Sequence, residues 1–448
     1  MKIKNLIFLL VIIFSSCCLK SESKRSIELS VYQKKFARPG SVYYITHDLN
    51  LQGKKIIIPN ACKLIYQGGK IRNGTIEFDN TKLIGKVNNE NIDIEGVIAN
   101  DTVYTSWFFK SKVLEQDEIN KLVGVVYSSV IIFDRDYILN SNRKFTGEST
   151  HNKYYYDGIN IKSGITYDGN GHTIFCGTAD NIFNCIFDFS NNDFAPRENW
   201  KITNFVLARS LNDQAVKQTE ATSIYIRNAI RGEISNCRFL RWKGQGIHIS
   251  LLPINGKEYH SRQLVVRDCV FKGTLGSETF TSGNGLNIIS GQDINVINCQ
   301  FYNIKTDAKV AGKWPGAIDI ETEEYHSNVD NVIIDSCIIE NCGWLSPVSF
   351  ASRTDLNGNI EHHYGGGDGT VYVKNLKAKN CEYAISVQNG LPCGHVVFDH
   401  IEVEDIKSLS CISNTTMSIE VRNSVFRLIR ENAIFPNQVK TYNCKIFK

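Results

Sequence analysis

Val266-Arg267-Asp268-Cys269-Val270-Phe271 is the stretch that decides the fold, because the chain keeps restating it. The same phrase stands earlier at Ile234-Ser235-Asn236-Cys237-Arg238-Phe239 and later at Val296-Ile297-Asn298-Cys299-Gln300-Phe301. It returns as Ile334-Asp335-Ser336-Cys337-Ile338-Ile339, Val373-Lys374-Asn375-Leu376-Lys377-Ala378 and Val421-Arg422-Asn423-Ser424-Val425-Phe426, then as Tyr442-Asn443-Cys444-Lys445-Ile446. Most copies follow one another at roughly 20 to 40 residues, a spacing of solenoids. Each copy holds short strands with period-2 alternation, and no helical pattern lies between them. Hairpins would need turn signals between equal, reversing strands; here the phrase restarts in one direction. That predicts a coil that climbs one rung per repeat, with parallel strands about 4.8 Å apart. Ile, Val, Phe and Cys fall in its inward column. The Asn/Asp/Ser column fits a tight bend in left-handed backbone, where stacked Asn side chains can bond from rung to rung.

Working outward, the N-terminus reads as a targeting segment. Lys2 and Lys4 precede an apolar run over residues 6–14, too short to span a bilayer. The run ends in Ser15-Ser16-Cys17, which resembles the bacterial lipoprotein cleavage box. Residues 1–17 are then a signal peptide, Cys17 the lipidated first residue of the mature chain, and 18–39 a linker. The expected location is export to an outer-membrane lipoprotein, on the cell surface or the periplasmic face. The plainer alternative is a secretory signal cut near Ser16. The 448 residues carry 50 basic and 46 acidic side chains, for a net charge of +4. So even a balance argues against nucleic acid as a partner.

The repeat phrase resembles the pectin-lyase-like right-handed parallel β-helix superfamily, over residues 40–448. The resemblance implies an all-β fold: a single-stranded right-handed parallel β-helix of about ten or more rungs. Residues 40–100, with Ile56-Ile57-Ile58-Pro59 and Asn73-Gly74-Thr75-Ile76, look like an N-terminal cap; the helix proper takes 101–448. Residues 101–125 are the most helix-like stretch. The superfamily houses hydrolases, lyases, epimerases and scaffolds, so the resemblance fixes no reaction. It does recast the 14 cysteines. Cys237, Cys269, Cys299 and Cys337 share one interior column, where free thiols act as small hydrophobes and adjacent parallel strands disfavour disulfides.

The second half of each repeat carries the candidate chemistry. It reads Gly246-Ile247-His248-Ile249-Ser250, Gly285-Leu286-Asn287-Ile288-Ile289, Ala317-Ile318-Asp319-Ile320-Glu321, Val348-Ser349-Phe350-Ala351 and Ala384-Ile385-Ser386-Val387-Gln388. Alternation puts Ile247, Leu286, Ile318, Val348 and Ile385 inside. It puts His248, Asn287, Asp319, Ser349 and Ser386 in one outer column, expected to be accessible, with Glu321 and Gln388 in a second. Asp319 and Glu321 root roughly 7 Å apart on one face. Carboxyl pairs at roughly 5–9.5 Å cleave glycosidic bonds by retention or inversion. Acidic residues on a β-helix strand serve the polygalacturonases, but the Asn-Thr-Asp, Gly-His-Gly and Arg-Ile-Lys motifs of that family are not recognisable here.

Insertions over 251–262, 272–284, 305–315 and 352–369 are expected to wall this stripe. They bring Trp314, Arg353, His363 and Tyr364. Trp and Tyr beside a groove stack on sugars, and His363 lies in a Gly-rich segment suited to a lid with a proton-transfer group. The catalytic set expected is therefore Asp319, Glu321, His248 and His363. Asn287, Trp314, Ser349, Arg353, Gln388 and Tyr364 form the substrate-binding set. No metal site is identified and no cofactor is expected, though Glu323 and Glu324 beside the pair leave Ca²⁺ open. The partner expected is a polysaccharide or oligosaccharide, with the membrane reached through the lipid anchor. A glycoside hydrolase leads; a lyase acting on uronic-acid glycans and a non-catalytic glycan-binding surface protein stand beside it. Solvated surface is the bland reading of the acidic pair.

Overall fold

A computed structural model describes residues 27–28, 39–127, 129–140, 158–176, 185–189, 195–209, 222–242, 245–254, 257–273, 283–304, 316–322, 327–342, 346–352, 368–388, 393–413, 415–429 and 434–447. The chain divides into two compact units. Met1–Asp101, Ser106–Lys110 and Val125–Tyr127 make the first; Thr102–Thr105, Ser111–Gly124 and Ser128–Lys448 make the second.

The first unit holds a seven-stranded parallel sheet. Its strands alternate buried and outer residues, as in Lys55–Ile58 and Lys63–Tyr66. Register stacks Tyr43, Leu64 and Leu83 in one buried column, and Ile56, Ile76 and Ile94 in another.

The second unit is a right-handed parallel β-helix built from three sheets of 14, 12 and nine strands. The repeat phrase supplies the first two. Ile202, Ile234, Val266, Val296 and Ile334 stack in the first sheet, and Leu207, Phe239, Phe271, Phe301 and Ile339 in the second. Phe239 lies 4.4 Å from Phe271, and Phe271 lies 4.6 Å from Phe301, with rings nearly parallel. Those spacings match the rung separation of stacked parallel strands. The bend between the sheets is the Asn column. Asn236, Asp268, Asn298, Ser336 and Asn375 all have φ between 53° and 56°. Asn and Asp tolerate that left-handed region better than other residues with a Cβ. The ladder forms as expected: Asn298 Nδ2 donates to Asp268 Oδ1 at 2.7 Å, and Asn443 Nδ2 to Asn423 Oδ1 at 3.0 Å.

Gln116–Val125 is the one α-helix among the described residues. Asp117 and Glu118 sit in its first turn, where they complement the helix dipole. Ile119, Leu122 and Val123 are buried at helical spacing. Asn120 closes the leading edge of the third sheet. Its Nδ2 donates to the Gly158 carbonyl at 3.1 Å, and its Oδ1 accepts from the Asn160 N–H at 2.8 Å. One amide thus takes the place of the missing neighbour strand. Lys162 Nζ donates to the Gly124 carbonyl at the helix C-terminus, and burial brings this amine down to about 8.

Cys237, Cys269, Cys299 and Cys337 are free and buried. Each thiol donates to the carbonyl two residues back, at 3.2 to 3.5 Å. Burial pushes the Cys269 thiol well above its ordinary range; bonds to the preceding thiol do the same first for Cys299 and Cys337. We expect all four to be inert to a thiol reagent in the native protein. All four should react once the chain is unfolded without reductant. Recovery of these four as oxidised pairs in the thiol count would contradict the ladder.

Candidate functional site

The third sheet is made of the second half of each repeat. Its strands include Ile224–Arg227, Ile247–Ser250, Leu286–Ile288, Ile318–Thr322, Val348–Ser352 and Tyr383–Gln388. Register aligns Asp188, Tyr225, His248, Asn287, Asp319, Ser349, Ser386 and Cys411 in one outward column. Glu321, Ala351 and Gln388 align in the column beside it. Ile247, Leu286, Ile318, Val348 and Ile385 are all buried on the inner side.

One expectation fails here. Much of the outward column is not accessible: Asp319 is 7% exposed, Asn287 2%, Ser349 5% and Ser386 0%, while His248 is partly exposed. Period-2 alternation fixes only the direction of a side chain, so a polar residue covered by other parts of the chain reads the same as one in water. For Asp319 the burial also removes the solvated-surface reading. Glu321, two residues on, stays partly exposed. The two carboxyls therefore share a face and differ in environment, an arrangement that lets one site hold two different acid–base roles.

Asp319 is held by a residue the sequence reading passed over. Asn284, itself 6% exposed, donates from Nδ2 to Asp319 Oδ2 at 2.7 Å. Its Oδ1 accepts from the Gly316 N–H at 2.7 Å. The signal was an amide placed directly before the glycine that opens the strand: Asn284-Gly285 here, Gln245-Gly246 one rung earlier. Asp188, 1% exposed, was also missed, because the repeat is weak before residue 224.

Buried polar atoms flank the acid on adjoining rungs. Asn287 Oδ1, Ser349 Oγ and Ser386 Oγ have no hydrogen-bond partner among the described residues. Register puts them one rung before, one after and two after Asp319. Each buried group left unsatisfied costs about 1–3 kcal/mol, and such groups in native proteins call for a water or ligand. Gln388 is partly exposed, and its Nε2 donates to Cys411 Sγ at 3.3 Å.

His248 lies two rungs from Asp319, about 10 Å by the strand spacing. Its ring stacks on Tyr225 with centroids 4.8 Å apart, and the Arg227 guanidinium lies 4.2 Å over that Tyr225 ring. Burial, then the Arg227 charge, push the imidazole down to about 3. His248 is therefore neutral at physiological pH and a weak base. Trp314, Arg353, His363 and Tyr364 lie outside the described residues, as do Glu323 and Glu324. Among the described residues no group of three or more His, Cys, Asp or Glu gathers to hold a metal ion.

The architecture is a right-handed parallel β-helix. No protein-family model and no curated protein matches the chain. Among solved structures it is similar to an endo-xylogalacturonan hydrolase from Aspergillus tubingensis, at 10% identity and a TM-score of 0.49, covering 73% of this chain and 89% of that one. It is also similar to a hyperthermoactive exopolygalacturonase from Thermotoga maritima, at 12% identity and a TM-score of 0.39, covering 87% and 83%. A Geobacillus virus E2 protein matches at 13% identity and a TM-score of 0.34, covering 90% of this chain and 57% of that one. Likenesses this distant fix no reaction; the strand register carries the fold, and the site has to carry the chemistry.

The depressed His248 imidazole has a consequence for stability. Unfolded, a histidine protonates near 6.5; folded, this one resists until about 3. Between those values the unfolded chain binds the extra proton, so stability is full above about 6.5 and falls as pH drops toward 3. The slope is at most about 1.4 kcal/mol per pH unit for one group. Denaturant melts between pH 7 and 4 should show a shallower loss in His248→Gln than in the parent protein. Equal slopes would mean that this imidazole titrates normally.

Proposed function

We propose that the protein is a glycoside hydrolase of polysaccharides, with Asp319 and Glu321 as its carboxylate pair. The observation that carries this reading is a buried carboxylate, fixed by an amide, with unpartnered buried oxygens on the rungs either side. Sugar hydroxyls both donate and accept, so one class of ligand satisfies the amide carbonyl of Asn287 and the hydroxyls of Ser349 and Ser386 together. A carboxylate pair on one face supplies the rest. One carboxylic acid protonates the glycosidic oxygen as its C–O bond breaks. The other, ionised, takes a proton from the attacking water or itself attacks the anomeric carbon. Gln388, in line with Glu321, adds a donor at the edge of the site. A lyase would need a base that abstracts a carbon-bound proton near neutral pH, and His248, brought down to about 3, is unsuited to that task.

On a panel of glycans, we expect new reducing ends without the ultraviolet-absorbing double bond that a lyase leaves. Asp319→Asn and Glu321→Gln should each lower turnover about 10²–10⁴-fold, with melting temperature nearly unchanged. Turnover close to the parent level in both variants would place the chemistry elsewhere.

We also propose that Cys17 is lipidated and anchors the protein to a membrane. Support comes from the Ser15-Ser16-Cys17 box and the short apolar run before it. No described helix is long and apolar enough to cross a bilayer, so any anchoring would need such a group or another segment. Cys17→Ser should move the protein from the membrane fraction to the soluble fraction; retention on the membrane argues for some other attachment.

A further inference from the structure

We infer that Ala351 opens a subsite for one uncharged sugar residue, one rung past the carboxylate pair toward the C-terminal end of the coil. The inference rests on the hydrolase reading above for the nature of the ligand. It adds where one residue of the glycan sits and which sugars fit there. Its basis is the second outer column, which register sets as Glu321, Ala351, Gln388 and Ser413. Unlike the column of Asp319, this one is open to solvent: the first three are partly exposed and Ser413 is exposed. Glu321 and Gln388 stand two rungs apart, about 10 Å at their roots. Between them Ala351 carries a single methyl, so the face has a notch at that rung. Gln388 leans away from it. Its Nε2 donates to Cys411 Sγ at 3.3 Å, and register puts Cys411 on the following rung, on the far side from Ala351.

The surroundings of the notch match a sugar ring. Ser349 and Ser386 precede Ala351 and Gln388 by two residues, so they point out of the same face. Ser349 is 5% exposed and Ser386 0%, and neither Oγ has a hydrogen-bond partner among the described residues. Sugar hydroxyls can donate to or accept from both, and the Gln388 amide offers the same at the rim. The Ala351 methyl suits the apolar C–H face of the ring. Among the described residues, neither outer column holds a Lys, Arg or His from Asp319 onward. The carboxylate of a uronic acid, or a sulfate, would meet Glu321 there with no described cation to pair with it. An unpaired charge of that kind selects against a ligand. The subsite therefore takes a neutral residue, whatever the flanking sugars carry.

The test is binding, by titration calorimetry, of neutral hexasaccharides (β-1,4-linked glucose, xylose, mannose and galactose) and of the acidic hexamer of α-1,4-linked galacturonate. The proteins compared are the parent, Ala351→Val and Gln388→Ala. Valine adds two methyls to the notch and suits a strand. The parent should bind at least one neutral hexamer, and Ala351→Val should bind it about 10-fold or more weakly. Gln388→Ala should weaken it about 3–10-fold. The galacturonate hexamer should bind the parent no better than it binds Ala351→Val. Parent-like binding of the neutral hexamer by Ala351→Val overturns the inference. So does a parent that binds no neutral hexamer, or one whose grip on galacturonate depends on Ala351. If Ala351→Val fails to fold, Gln388→Ala decides: weaker binding supports the subsite and parent-like binding overturns it. Neutral binding that Ala351→Val loses, on a parent that cleaves nothing, keeps the subsite and removes the hydrolase reading. Cleavage with Ala351→Val binding as the parent does keeps the hydrolase reading and removes the subsite.

Discussion

Everything in the second unit depends on strict rung-to-rung register between parallel strands. Each backbone N–H is satisfied by the rung above or below, so a shift of one residue would turn every inward Ile, Val and Phe to the outside. Two side-chain devices hold that register. At the bends, Asn and Asp adopt left-handed backbone and bond to their counterparts on the next rung. In the lumen, Phe239, Phe271 and Phe301 stack face to face and the thiols of the Cys column follow the same climb. Neither device contains chemistry. Both are conditions for placing chemistry, because a residue on an outer face inherits its position from the register within it.

The three sheets use that frame differently. Strands of the first two alternate buried and outer residues, as half-buried sheets do: Arg262–Arg267 and Val332–Asp335 are examples. Strands of the third are buried on both sides, and Leu286–Ile288 has no exposed residue at all. Two-sided burial normally selects apolar residues throughout a strand. Here the outer row is Asn, Asp and Ser instead, at a cost in desolvation that the lumen's packing has to offset. Asn284 recovers part of that cost at Asp319. The oxygens of Asn287, Ser349 and Ser386 do not recover it among the described residues, which is the physical sign that this row is kept for something other than stability.

The lumen was legible in the sequence because hydrophobic periodicity and burial are the same fact. Ile247, Leu286, Ile318, Val348 and Ile385 fall where alternation puts them, and the Asn bends fall where their backbone tolerance puts them. The outer row was legible in its alignment but not in its surroundings. His248 reads as a surface imidazole, yet its protonation is governed by burial and then by the charge of Arg227, which shares its sheet but lies one rung back. Asn284 reads as the end of an insertion, and its role appears only when the next rung brings Asp319 within reach. Strand pattern gives each residue a direction; partners come from the neighbouring rung, some 30 residues away, and local sequence does not encode that distance closely.

The amide before the strand glycine makes the point sharply. Register sets Gln245 one rung before Asn284, and Asn287 one rung before Asp319. The same relative placement that joins Asn284 to Asp319 therefore recurs between Gln245 and Asn287. There, two amides take the two places, and Gln245 Oε1 and Asn287 Oδ1 are both buried without partners among the described residues. One rung later a carboxyl takes the second place and the amide finds an acceptor. The repeat thus supplies a polar socket more than once, and Asn for Gln at the first place with Asp for Asn at the second turns one copy of it into a fixed acid. A solenoid can alter one rung in this way because its core packing passes through the inner column, which stays Leu286 and Ile318 on the two rungs concerned.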